Sequence, residues 1–136
     1  GVYSEVARMK QRFKMLDYEI SVDYGPHVIN RLFARFYDLD TEYLDYIFST
    51  IFSNQTVSDF LINDVKIGED VVVIDEESGL SMAVNIGTEL FFVKTIYNAY
   101  EGNLLIAERQ EVLRIGKSGE LKVEKFRLKE KVGKEA

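Results

Sequence analysis

The chain has 136 residues, 46% of them hydrophobic and 29% charged, which suits one globular domain with a real core and excludes a disordered chain. Lys and Arg number 17 against 23 Asp and Glu, a net charge of −6. That overall field opposes a phosphate backbone, so a nucleic-acid function requires a local basic patch. Cysteine is absent, which excludes disulfides and thiolate metal sites and fits a cytoplasmic location.

No uninterrupted apolar run reaches spanning length, so no membrane helix is expected. The opening "GVYSEVARMK" lacks a signal-peptide pattern. Gly1, where an initiator methionine is usual, reads as the trace of processing. No Pro/Gly/Ser-rich linker and no repeat divides the chain, so residues 1–136 read as a single domain, helical over about 1–55 and sheet over about 56–128.

In chain order, Val6, Met9, Phe13 and Leu16 recur at three- and four-residue spacing, which predicts a helix over about 3–16. "YEISV", Tyr18 to Val22, alternates like a short strand, and "DYG" turns. Pro26 suits a first helical position, where its missing N–H costs nothing. The helix predicted over 26–37 offers Val28, Ile29, Leu32, Phe33 and Phe36 to a core. Asp40 or Thr41 caps the next one, over 41–53, with Leu44, Ile47, Phe48 and Ile51 inward. "VSDFLI" fits either a strand or a short helix.

From Val71 the period changes. "VVVID" is a β-branched run typical of a buried strand, and "EESG", Glu76 to Gly79, is a hairpin turn. "LSMAVNI" alternates, with Leu80, Met82, Val84 and Ile86 on one face. "LFFVKTIYNAY" predicts another strand with Leu90, Phe92 and Ile96 in register. "EVLRI" and "LKVEKFRL" follow around the "GKSG" turn. Helices ahead of an antiparallel meander make an α+β fold, the helices covering one face of the sheet and the other face left to solvent or a ligand. Phe33, Phe36, Leu44, Ile47, Phe48, Val73, Val84 and Phe92 are the expected core.

"YGPHVINRLFARF" holds the only histidine and the only proline of the chain. His27, Arg31 and Arg35 fall four residues apart, on one helical face. An imidazole beside a guanidinium suits RNA cleavage, the first moving a proton and the second binding the scissile phosphate. The same spacing also describes an ordinary solvated helix face. A second group, Lys94, Tyr97, Tyr100, Arg109 and Arg114, joins cations to rings that can stack on a base, and is equally consistent with packing in a Tyr-rich chain. One histidine and no cysteine exclude a His- or Cys-rich zinc site. Asp75 to Glu77 reads as a solvated turn, and no metal or other cofactor is expected.

"HVINRLFARFYDLDTEYLDYIF" resembles the His-x-x-x-Arg-x-x-x-Arg helix and capped second helix of phage endoribonucleases of the RegB type and of small domains related to the RelE toxin superfamily. "VVVIDEESGLSMAVNIGTELFFVKTIYNA" is similar to the sheet of that superfamily. The resemblance covers about Tyr24 to Asn98. It implies a RelE-like fold, His27 and Arg31 as catalytic residues, and Glu5 as the acidic residue of the first helix. Arg35, Lys94, Tyr97, Tyr100 and Arg109 become substrate-binding residues. RegB-type enzymes use a second histidine, which this chain does not have. The resemblance thus implies a metal-independent endoribonuclease acting on single-stranded RNA or messenger RNA. The alternative is a non-catalytic, protein-binding or regulatory module of the same fold. The partner is RNA in the first case and a protein in the second.

Overall fold

The structure is a computed structural model that describes residues 9–14, 19–101 and 110–125. Seven strands form one sheet: β1 (Met9–Lys14), β2 (Glu19–Tyr24), β3 (Asp70–Asp75), β4 (Leu80–Ile86), β5 (Leu90–Asn98), β6 (Glu111–Ile115) and β7 (Leu121–Lys125). Three helices, α1 (Pro26–Arg35), α2 (Thr41–Phe52) and α3 (Gln55–Asp59), fall between β2 and β3, and α3 runs into a π-turn over Phe60–Asp64. The segment "VSDFLI" is therefore helical.

The fold is α+β, but its sheet is mixed where an antiparallel one was expected. The spatial order is β1-β2-β5-β4-β3-β6-β7. β2 runs parallel to β5, and β3 parallel to β6. The hairpins joining β3, β4 and β5 make an antiparallel meander with two open edges. β2 takes the β5 edge and β6 takes the β3 edge. Each is separated from its partner by a long crossover, the connection that parallel pairing requires.

The segment Met9–Lys14 is a strand, which corrects the helix expected over 3–16; the rest of that range that precedes Met9 or follows Lys14 lies outside the described residues. Met9 and Phe13 fit a helical period, but Gln11 and Phe13 also alternate with Lys10, Arg12 and Lys14. β2 pairs with the whole segment, from Met9↔Tyr24 to Lys14↔Glu19. That ladder satisfies the backbone and still sends Phe13 inward, with its ring centroid 5.3 Å from that of Phe52.

The helices cover one face of the sheet. Leu44, Ile47, Phe48 and Ile51 of α2 are buried against Val22, Val73, Met82, Val84 and Val93. Phe36, Leu44, Ile47, Phe48, Val73 and Val84 are buried as expected. Phe33 is not: it is 54% exposed. The buried stripe of α1 is Val28, Ile29 and Leu32, and Phe33 stands at its rim. Phe92 is only half-buried, because the β4–β5 register shifts between Ala83 and Val84. This bulge leaves Lys94 without an opposite residue on β4 and changes the parity of β5. Phe91 and Val93 therefore share the core side with Ile96, and Phe92 faces away.

The other face is not wholly open. Val72, Ile74 and Val112 form a second buried cluster there, so it is closed over β3 and β6. Among the described residues no helix is long and apolar enough to cross a membrane.

Candidate functional site

The arginine-bearing helix α1 begins where β2 ends. Gly25 occupies the N-cap position and Pro26 the first turn, as its fixed φ favours. Tyr24 pairs with Val93, so α1 leaves the sheet beside the bulge that carries Lys94. At the other end of α1, the Arg35 guanidinium donates from Nη1 to the Ile96 carbonyl at 2.7 Å. Both ends of α1 are thereby fixed against β5, and the two elements pack together along their length.

His27 is exposed and Arg31 is half-buried one turn later, about 6 Å along the axis at 1.5 Å per residue. Neither makes a hydrogen bond or ion pair with another described residue. Arg31 thus presents a guanidinium with no internal acceptor among those residues, whereas Arg35 spends one donor on holding the helix in place. The two arginines of the stripe thus differ in their surroundings.

The β5 residues lie differently. Lys94 pairs with Asp70 at 2.9 Å, and Asn85 Nδ2 donates to the other oxygen of that carboxylate at 2.8 Å. Asp70 and Asn85 are directly opposite each other, one step from the core-facing pair Val71 and Val84. Lys94 is therefore on the face turned away from α1. Tyr97 is opposite Ser81, one step from the core-facing pair Met82 and Ile96, and shares that outer face. The Tyr100 ring lies over Gly79, where an added Cβ would meet its Cδ2 at 2.6 Å; the positive φ of +80° at Gly79 shapes the same turn. The Tyr100 hydroxyl donates to the Glu76 carbonyl. The structure thus gathers His27, Arg31 and Arg35 on one element and sends Lys94 and Tyr97 to the opposite side of the sheet. Glu5 and Arg109 lie outside the described residues.

Two tyrosine–aspartate pairs tie α2 to the sheet, and neither was anticipated. The buried Tyr24 hydroxyl donates to Asp45 at 2.8 Å. Burial, reinforced by Asp45, pushes the phenol pKa far up and keeps it a neutral donor. The Asp45 pKa is itself raised, first by burial, with Glu42 and Asp40 adding repulsion and the Tyr24 hydrogen bond opposing. The second pair corrects the reading of Asp75 as solvated: it is 3% exposed. Its Oδ2 accepts from the Tyr43 hydroxyl at 2.5 Å and from the Ser78 hydroxyl at 2.6 Å. Tyr43 also has its pKa raised, chiefly by burial. The only local signal for Asp75 is Ser78 three residues on, the spacing at which a carboxylate caps its own turn. Tyr43, 32 residues upstream, is invisible to local pattern.

A cavity of about 690 Å³ opens beside β1, lined by Lys10, Arg12, Glu19, Ser21 and Glu89 among others. Its cations and carboxylates nearly balance, and neither His27 nor Arg31 borders it. A second, of about 460 Å³, lies by Asp75, Tyr100, Arg114 and Lys117. Among the described residues no three His, Asp or Glu side chains are grouped to hold a metal ion.

No protein-family model, no curated protein and no solved structure matches the chain.

Proposed function

We propose that the chain is a metal-independent endoribonuclease of RelE-like fold that cleaves single-stranded RNA with His27 and Arg31. One observation carries the reading: Arg31 is half-buried, has no acceptor among the described residues, and stands one turn from an exposed imidazole. A guanidinium that the described residues leave unengaged can bind a phosphate through two parallel hydrogen bonds.

The step needs little more. The ribose 2′-oxygen attacks the adjacent phosphorus and His27 takes its proton. The bond from phosphorus to the 5′-oxygen breaks, and water protonates that leaving oxygen. Arg31 offsets the charge that grows on the non-bridging oxygens. Arg35, through the Ile96 carbonyl, holds α1 in place on β5 and acts as a positioning residue. Lys94 and Tyr97, on the far face, take no direct part. A single histidine serves one proton transfer, so the reading implies a modest rate.

The products test it. End-group analysis of a short single-stranded RNA incubated with the protein in EDTA is expected to give a 2′,3′-cyclic phosphate and a 5′-hydroxyl. Fragments ending in a 5′-phosphate would exclude 2′-oxygen attack and rule out His27 as the base that activates it.

A further inference from the structure

Two aromatic side chains near the α1–α2 connection are exposed. Tyr37, in the connection, is 97% exposed, and Tyr46 on α2 is 55% exposed. Both rings would gain from burial on the protein itself, yet the fold presents them to the outside. Tyr46 is packed against Tyr43, ring centroids 5.6 Å apart. Those two rings, with Leu39, line a cavity of about 270 Å³ whose remaining walls are Asp38, Asp40 and Glu42. This is smaller than the roughly 300–1,000 Å³ of a small-molecule pocket and is the scale of one long side chain.

Charge identifies the occupant. From Phe36 to Val65 the chain carries Asp38, Asp40, Glu42, Asp45, Asp59 and Asp64 and no Lys, Arg or His. The formal charge of that segment equals the −6 of the whole chain, and three of its carboxylates, Asp38, Asp40 and Glu42, line the cavity with no cation among its lining residues. An anionic ligand is repelled there. A guanidinium or ammonium group is attracted by the carboxylates, and its alkyl stem and charged head both suit the aromatic faces.

We propose that the Tyr43–Tyr46 surface binds a basic peptide segment of a protein partner, with one arginine or lysine side chain seated between Tyr43, Tyr46 and Leu39. The surface uses neither His27 nor Arg31, so it does not depend on RNA cleavage. The rings supply contact area at small entropic cost, and the carboxylates on the rim set the sign of the partner and speed its approach.

The probe is acetyl-Gly-Arg-Leu-Arg-Gly-amide, with the glutamate counterpart as control, titrated into the isotope-labelled protein and followed by NMR. Expected are saturable shifts confined to Tyr37–Tyr46, weakened by added salt, with no response to the glutamate peptide. Tyr46→Ala is expected to weaken binding about tenfold, and Asp38→Asn with Glu42→Gln about fivefold. Asp38 and Glu42 are both exposed, so the paired variant tests the site without disturbing the core. Failure of both peptides to bind, equal binding of both, shifts centred elsewhere, or variants that bind like the parent would each overturn the proposal.

Discussion

Tyr24 and Asp45 are the side chains on which the attachment of α2 to the sheet can be read most simply. The Tyr24 ring is fully buried and packed against Phe48, with centroids 6.2 Å apart, so Tyr24→Phe keeps the packing and removes one hydrogen bond to Asp45. The expected loss is about 1–2 kcal/mol, since Asp45 is half-buried and can recover part of the bond from water. Urea denaturation, with an unchanged m-value, measures it. Asp45 adds a pH signature. Its folded pKa lies above that of the unfolded chain, so its contribution is fully present below the ordinary carboxylate range near about 3.9 and is lost as pH rises through the folded value. Asp45→Asn keeps an acceptor for Tyr24 but cannot titrate. Parent and variant compared by denaturation at about pH 4 and pH 7 are therefore expected to show the parent losing stability relative to the variant at the higher pH. A gap that moves the opposite way would contradict the assignment.

At the scale of elements, α2 is the keel of the helical layer. Phe48 is 2% exposed and its ring contacts those of Phe13, Tyr24 and Phe52. Phe48→Ala is expected to cost about 3–5 kcal/mol by chemical denaturation, whereas His27→Ala, at an exposed position, is expected to cost little. Comparable losses for both would make His27 a structural residue. Elements whose determinants are local were legible in the sequence. Pro26 marks the start of α1, and Asp40 caps α2 by accepting from the Glu42 amide at 3.0 Å. The alternation of Leu80, Met82, Val84 and Ile86 appears unchanged as the buried side of β4. Where the outcome turned on a distant partner, the sequence was silent. β1 has apolar spacing that suits a helix as well as a strand, and β2 decides between them. Lys94 sits in a bulge, so no fixed period of two could assign Phe92 or Tyr97 to a face. Of the candidate site, the single-face placement of His27, Arg31 and Arg35 followed from helical spacing alone. The engagement of Arg35 by a β5 carbonyl could not, because it belongs to a residue 61 positions away.

For the whole molecule, charge and topology set two regions apart. The parallel pairing of β2 with β5 sets α1 against the strand that carries the bulge, and both arginines of α1 precede the acidic segment 36–65. RNA approaching the net charge of −6 is disfavoured at long range, so cleavage is expected to be slow and to depend on the local pair. The decisive measurement is cleavage of a labelled single-stranded RNA in EDTA by the parent protein, His27→Ala, Arg31→Ala and Arg31→Lys, each prepared identically. The parent is expected to cleave, and each alanine variant to lose roughly a hundredfold or more, for one proton-transfer or one electrostatic contribution. Lysine at position 31 is expected to restore only part of the rate, because it cannot bind phosphate bidentately. Equal cleavage by the parent and His27→Ala, or no cleavage by the parent of any single-stranded RNA offered, would contradict the assignment of His27 and Arg31 as a ribonuclease pair.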